Sequence, residues 1–278
     1  MQLDTVCYTV KKRMGVIWME NISEALITWV KAQMEVIGAK NAVVGISGGK
    51  DSAVVAALMA KAIGKDRVYG VMMPDGEQSD ISYARELCDF LGIHQKELSI
   101  RGITEAYWTL MREVEGTWCQ EVSQQTKLNL PPRVRMTLLY ALAQSLDAVV
   151  VNTSNLSEDW VGYATIYGDT AGAFSPLGQL TTEEVIALGR TLGLSEKFLV
   201  KAPSDGLTGK TDEEVLGFSY PLLNRYLREG VCEDQAIKER IDKLHRQSRF
   251  KFLPIPMFEA PYDILAEDIA HIYDKKSH

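Results

Sequence analysis

No uninterrupted apolar run in this chain approaches the roughly 18 residues that a membrane span requires, so no bilayer crossing is expected. The opening stretch "MQLDTVCYTVKKRMG" carries an acid early and lacks an apolar core followed by a cleavage site. A secretory leader is therefore not expected either. Cysteines are sparse and scattered: Cys7, Cys88, Cys119 and Cys232 form no C-x-x-C pair. They read as reduced, partly buried thiols. His94, His245, His271 and His278 share no metal-ligand spacing with them and read as surface or locally bonded imidazoles. Basic residues are outnumbered, 30 against 37 acidic, giving a net charge of −7 and a pI near 5.3. That balance argues against a broad nucleic-acid or anionic-membrane surface. A cytoplasmic protein is the expectation.

What is present is ordinary globular material. The chain has 278 residues, 46% of them hydrophobic, enough to bury a real core. No internal repeat, low-complexity tract or composition break divides it, so a single domain over residues 1–278 is expected.

Apolar runs alternate with helical periodicity. Residues 23–37, "SEALITWVKAQMEVI", carry apolar positions at three- and four-residue spacing and predict an amphipathic helix. Strands are predicted at "NAVVGI" (41–46), "RVYGVMM" (67–73), "HQKELS" (94–99) and "DAVVVN" (147–152). Helices are predicted from Asp51 to about Ile63, stopping at Gly64, over roughly 79–91, and through "ITEAYWTLMREV". Another is expected after Pro131-Pro132, in "RVRMTLLYALAQSL", and more near 181–192, 212–227 and, basic in character, 232–247. Trp108 and Trp118 read as core residues. Apolar strands separated by helices imply an α/β fold, a doubly wound, mainly parallel sheet covered on both faces. Ligands bind such sheets beyond the carboxyl ends of the strands, where strand order reverses. Two polar loops are expected there, 47–52 after the first strand and 153–170 after the fourth.

The first loop lies in "VVGISGGKDSAVVAALMAKA". It is not a P-loop, because the four residues after Gly45 end at Gly49 and Lys50 follows directly, with Asp51 ahead of the hydroxyl of Ser52. Gly48 and Gly49 lack Cβ atoms and let the backbone approach an anion closely. Amides from Ser47 to Lys50 can form an anion-binding nest, reinforced by the start of the next helix. Asp51 would repel a phosphate unless a cation sat between them, and Mg²⁺ is the simplest such cation.

"SGGKDSAVVAALMAKA" resembles the Ser-Gly-Gly-x-Asp-Ser loop of the ATP pyrophosphatases, which split ATP into AMP and pyrophosphate. Further motifs resemble the ammonia-dependent NAD⁺ synthetases within that superfamily of adenine nucleotide alpha hydrolase-like folds. "NLPPRVRMTLLYALA" is similar to their Asn-x-x-x-Arg-x-Arg-Met segment. "NTSNLSEDWVGYATIYGDT" is similar to their Gly-Thr-x-x-x-x-Glu…Gly-Tyr…Tyr-Gly-Asp-Gly stretch, with Thr153 and Glu158 in register. "PLGQLTTEEVIALGRTLG" and "KAPSDGLTGKTDEEVLGFSY" continue the match, which runs from about residue 20 to 255.

The resemblance implies ATP-dependent adenylation of deamido-NAD⁺, then attack by ammonia to give NAD⁺, AMP and pyrophosphate. It implies that Gly45, Ile46, Ser47, Gly48, Gly49, Lys50, Asp51 and Ser52 hold ATP phosphates, and that Thr153 and Ser204 contact ATP. Asp51 and Glu158 would be the catalytic pair that binds Mg²⁺. Arg133, Asp169, Phe250 and Lys251 would meet deamido-NAD⁺, and a homodimer without nucleic-acid or membrane partners is implied. Free ammonium is the expected nitrogen donor. Three positions depart from the pattern: Ile166 and Thr182 stand where the family has Lys, and Ala173 where it has Asp. They leave open a paralogue that adenylates another carboxylate, or a nucleotide sensor without turnover. A tRNA-thiolating enzyme, which uses a related loop, is disfavoured by the missing cysteine pair and the acidic charge.

Overall fold

The computed structural model describes residues 2–78, 81–200, 212–258, 261–262 and 264–267. Four parallel strands, in the order β3-β2-β1-β4, make one sheet. They are β1 (Asn41–Gly45), β2 (Val68–Met72), β3 (His94–Glu97) and β4 (Ala148–Val150). Val43 lies opposite Tyr69 on one side and Val150 on the other, so β1 is central. Strand order reverses between β1 and β4. The carboxyl ends of these two strands therefore flank the crevice expected to take a ligand.

Helix α1 (Gln2–Ile37) precedes β1, and α2 (Lys50–Ile63) follows it, ending where Gly64 takes φ +91° and donates its amide to Ala60. Then come α3 (Ile81–Leu91), α4 (Arg101–Arg112), α5 (Gln124–Ser145), α6 (Leu156–Val161), α7 (Thr182–Thr191) and α8 (Glu196–Leu199). Among the described residues the chain continues with α9 (Asp212–Leu216), α10 (Tyr220–Glu229) and α11 (Gln235–Ser248). Helices α1, α2 and α7 close one face of the sheet around Val44, Val54, Leu58 and Leu188. Helix α5, with Ile100 at the head of α4, closes the other around Val43, Val71 and Val150. Two-sided burial is why β1 and β2 are apolar at nearly every position, while the edge strand β3, His-Gln-Lys-Glu, is polar and exposed throughout. A third apolar cluster joins α6, α10 and α11 through Val161, Leu223 and Ile241.

Four expectations need correction. The predicted helix 23–37 is the end of a 36-residue helix that reaches back to Gln2. Pro131 and Pro132 lie inside α5, not before it; they forfeit two amide donors, and Leu130, Val134 and Leu138 still pack that stretch against the sheet. The predicted helix 212–227 breaks in two at Gly217, whose φ of +79° reverses the chain. Trp118 is 90% exposed and is no core residue. Cys88, Cys119 and Cys232 are free thiols, as expected. His94 and His245 bond the carbonyls of Asp66 and Trp160.

Candidate active site

The turn from β1 into α2 is built by its own small residues. Gly48 takes φ +83°, and Gly49 caps α2 without a side-chain hydrogen bond to the first helical amides. The Ser47 amide donates to Ser52 Oγ at 3.3 Å, Ser52 Oγ donates to the Gly49 carbonyl at 3.0 Å, and the Gly49 amide donates to Ser47 Oγ at 3.2 Å. Both serines thus hold the loop in shape, with Ser52 buried beneath it. Ile46 points into the core, so this position faces a ligand only through its backbone. The result is an uncapped helix start behind a glycine turn, which favours an anion.

The second loop meets the first at the switch point. Asn155 caps α6, accepting from the Glu158 amide at 3.1 Å, and its Nδ2 donates to Asp51 Oδ1 at 3.0 Å. Lys50 Nζ lies 2.8 Å from Asp51 Oδ2 and 3.8 Å from Glu158 Oε1. Residues 104 positions apart in sequence are therefore bound to one another. Burial works against charge on Lys50, but Asp51 and then Glu158 outweigh it and hold the ammonium more firmly protonated. Burial, followed by the nearby Asp51, raises the Glu158 pKa against the pull of Lys50 and Asn155.

Two hard carboxylates converging on one cationic point suit Mg²⁺ bridged to phosphate oxygens. No group of three or more His, Cys, Asp or Glu among the described residues could hold a metal alone. Phosphate would have to complete the set.

Beyond this pair, the loop from 162 to 175 forms a second polar wall. Arg133 Nε donates to the Ile166 carbonyl at 3.2 Å, and Lys251 Nζ donates to the Gly162 and Ala164 carbonyls at 2.9 and 2.8 Å. Burial depresses the Lys251 pKa, partly offset by Asp169. Asp169 turns its carboxylate onto the Thr165 amide. Tyr167 takes φ +59°, uncommon for an aromatic residue. Gly168 admits no side chain, since a Cβ would stand 2.9 Å from Thr165 Cγ2 and 3.0 Å from Pro132 Cβ. Arg133, Asp169 and Lys251 thus fall together around one loop; Phe250 is exposed beside them in sequence. Thr153 is half-buried just past β4. Ser204 lies outside the described residues.

Sequence reasoning missed two asparagines. Asn155, fully buried, was only an unspecified position in the Gly-Thr-x-x-x-x-Glu pattern. Asn152 stands where that pattern has Gly, and its amide ties β4 to the Asp169 carbonyl at 2.8 Å and the Ala171 carbonyl at 3.3 Å. Gly172 makes room for it, because a Cβ there would be 2.7 Å from the Asn152 backbone nitrogen. The signal available was an Asn placed just before the strand-end turn, a common capping residue.

The departures also take definite places. Thr182 is buried, its hydroxyl accepting from Asn224 Nδ2 at 2.9 Å and its amide donating to Ser157 Oγ at 3.1 Å. Ser157 in turn donates to Asn224 Oδ1 at 2.6 Å, closing the network. Ile166 is half-buried and Ala173 exposed.

The sequence model of the NAD synthase family matches residues 22–253. The chain is 39% identical over 228 residues to the NH₃-dependent NAD⁺ synthetase of Methanosarcina acetivorans, covering 81% of this chain and 86% of that protein. It is similar to the structure of an NMN synthetase from Francisella tularensis, with a TM-score of 0.79, 31% identity, and 87% and 99% of the two chains covered. It is also similar to the structure of an NH₃-dependent NAD synthetase from Campylobacter jejuni, with a TM-score of 0.70, 28% identity and the same coverage.

Proposed function

This chain belongs to the NAD synthase family, and we propose that it amidates the nicotinate carboxylate of deamido-NAD⁺ with ammonia, at the expense of ATP. The observation that carries the reading is the meeting of Asp51 and Glu158 beside the glycine turn of residues 47–50, at the β1–β4 switch point. A carboxylate is a poor electrophile, and making it an acyl phosphate ester solves that problem. One carboxylate oxygen attacks the α-phosphorus, the bond to the β-phosphate oxygen breaks, and pyrophosphate leaves. Ammonia then adds to the acyl carbon, loses a proton, and the bond to AMP breaks to leave the amide.

In this scheme the Ser47–Lys50 turn and the start of α2 receive the β- and γ-phosphates that depart together. Asp51 and Glu158 would hold Mg²⁺ with the nucleotide. That ion would neutralise phosphate charge and stabilise the pyrophosphate as it leaves. Asn155 bonds the Asp51 carboxylate and caps the helix that carries Glu158. Thr153 and Ser204 are assigned to the nucleotide. Arg133, Asp169, Phe250 and Lys251, around the 162–170 loop, are assigned to the acceptor. No side-chain nucleophile takes part, so catalysis rests on positioning and charge neutralisation. We further infer a single catalytic domain and a homodimer, with α1 and α5 as its contact helices.

A second acceptor is favoured by a specific observation. The similarity to the NMN synthetase structure is strong, and Ile166 and Ala173 both leave the acceptor loop without the charge expected there. Nicotinate mononucleotide, which lacks the adenylate half of the dinucleotide, is that second acceptor. ATP–pyrophosphate exchange measured with each separates the readings. Stimulation by deamido-NAD⁺ above the mononucleotide supports the first, the reverse order the second. Exchange with neither, in a protein that binds Mg-ATP, would defeat both.

A further inference from the structure

We propose that Lys50 is a resident counter-ion, bridging Asp51 and Glu158 and barring free divalent cations from them until a nucleotide draws its ammonium away. The ammonium sits 2.8 Å from one carboxylate and 3.8 Å from the other, at the point toward which both oxygens converge. A divalent ion cannot share that point with a fixed positive charge. The three side chains are 20%, 18% and 21% exposed, so water screens the repulsion only weakly. Asn155 takes the other oxygen of Asp51, which leaves little room for a metal to bind that carboxylate from elsewhere.

The position in the fold explains how the ammonium can move. Lys50 is the first residue of α2, next to the glycine turn, so rotation about its flexible stem alone can turn it from the carboxylates toward phosphate. Thr182, where the resemblance has a second lysine, is locked in the Ser157–Asn224 network and carries no charge. The lysine of the glycine turn therefore takes on both tasks, guarding the empty site and greeting the nucleotide. The second task rests on the function proposed above; the first does not.

The test is a nucleotide-free titration with Mn²⁺, followed by electron paramagnetic resonance or calorimetry. Wild type should bind Mn²⁺ weakly, and Lys50→Met should bind it about tenfold more tightly or better. Adding Asp51→Asn to Lys50→Met should abolish the gain. If Lys50→Met does not fold by circular dichroism, Lys50→Gln serves in its place. Equal affinity in wild type and variant, or a gain that survives Asp51→Asn, would overturn the proposal. With a non-hydrolysable ATP analogue present, wild type should recover most of the Mn²⁺ affinity of the variant. An analogue that binds without restoring that affinity would overturn the release of Lys50. Failure of the analogue to bind at all would instead count against the proposed function, with the nucleotide-free contrast left standing.

Discussion

Replacing Glu158 by Gln should stabilise the nucleotide-free protein while abolishing its chemistry. The site gathers two carboxylates around one ammonium, so it is one negative charge in excess. At 3.8 Å, and with an effective dielectric near 20, Lys50 offers Glu158 about 4 kcal/mol of attraction. Burial and Asp51 nevertheless outweigh it, because the Glu158 pKa is raised. Each unit of that rise is about 1.4 kcal/mol spent to keep the group charged. We expect a gain of about 1–3 kcal/mol near pH 8, or roughly 2–10 °C in melting temperature for a chain of this size. The sign follows from linkage: the folded state keeps a proton that the unfolded state releases above its pKa of about 4.3, so wild-type stability falls as pH rises. Calorimetry in EDTA from about pH 5 to 8 should show the variant's advantage growing with pH. ATP–pyrophosphate exchange should fall at least about a hundredfold, the scale seen when a transition-state charge partner is lost. A Glu158→Gln protein that is less stable than wild type at pH 8, or whose advantage does not change with pH, would refute the reasoning.

Other perturbations probe neighbouring parts. Asn155→Ala removes both a helix cap and a hydrogen bond to a charged group, and should cost about 2–4 kcal/mol by denaturant melts. Asn155→Asp keeps the cap but adds a third negative charge, so it should lower exchange more than stability. Ile166→Lys with Ala173→Asp should tighten deamido-NAD⁺ about tenfold per restored contact, at about 1.4 kcal/mol each. No change in Kd, or a loss, would mean the pocket is shaped for a different acceptor. Sedimentation at micromolar concentration should give a dimer; a fully active monomer would remove α1 and α5 as contact helices.

Much of the fold was legible because buried parallel strands leave a plain trace. "NAVVGI" and "RVYGVMM" are apolar at nearly every position and became β1 and β2 within a residue or two. The glycine turn could be placed at a strand end from the sequence, but the order that sets β4 beside β1, and so brings the second loop to the first, is seen only in the fold. Where tertiary packing overrides a local rule, the sequence misled. Proline inside α5 is tolerated because the helix is clamped against the sheet, and no local pattern announces a clamp. Trp118 carries the residue type of a core and none of the neighbours.

The site itself was legible by type and not by partner. Asp51 was named for its chemistry and Glu158 by the resemblance, but the spacing could not reveal that Lys50 would stand between them or that Asn155 would bond Asp51 and cap the helix of Glu158. Thr182 makes the same point from the other side. Read along the chain, it is a lysine lost, and a lost charged hydrogen bond is worth about 1.5–3 kcal/mol. In the fold it is the hydroxyl that satisfies Asn224, and Asn224 satisfies Ser157. A lysine there would have to leave this buried triad with an unpaired amide, which would itself cost about 1–3 kcal/mol. That cost falls on folding, so Thr182→Lys should unfold at lower denaturant than wild type, and an unchanged midpoint would show that the triad does not need the hydroxyl.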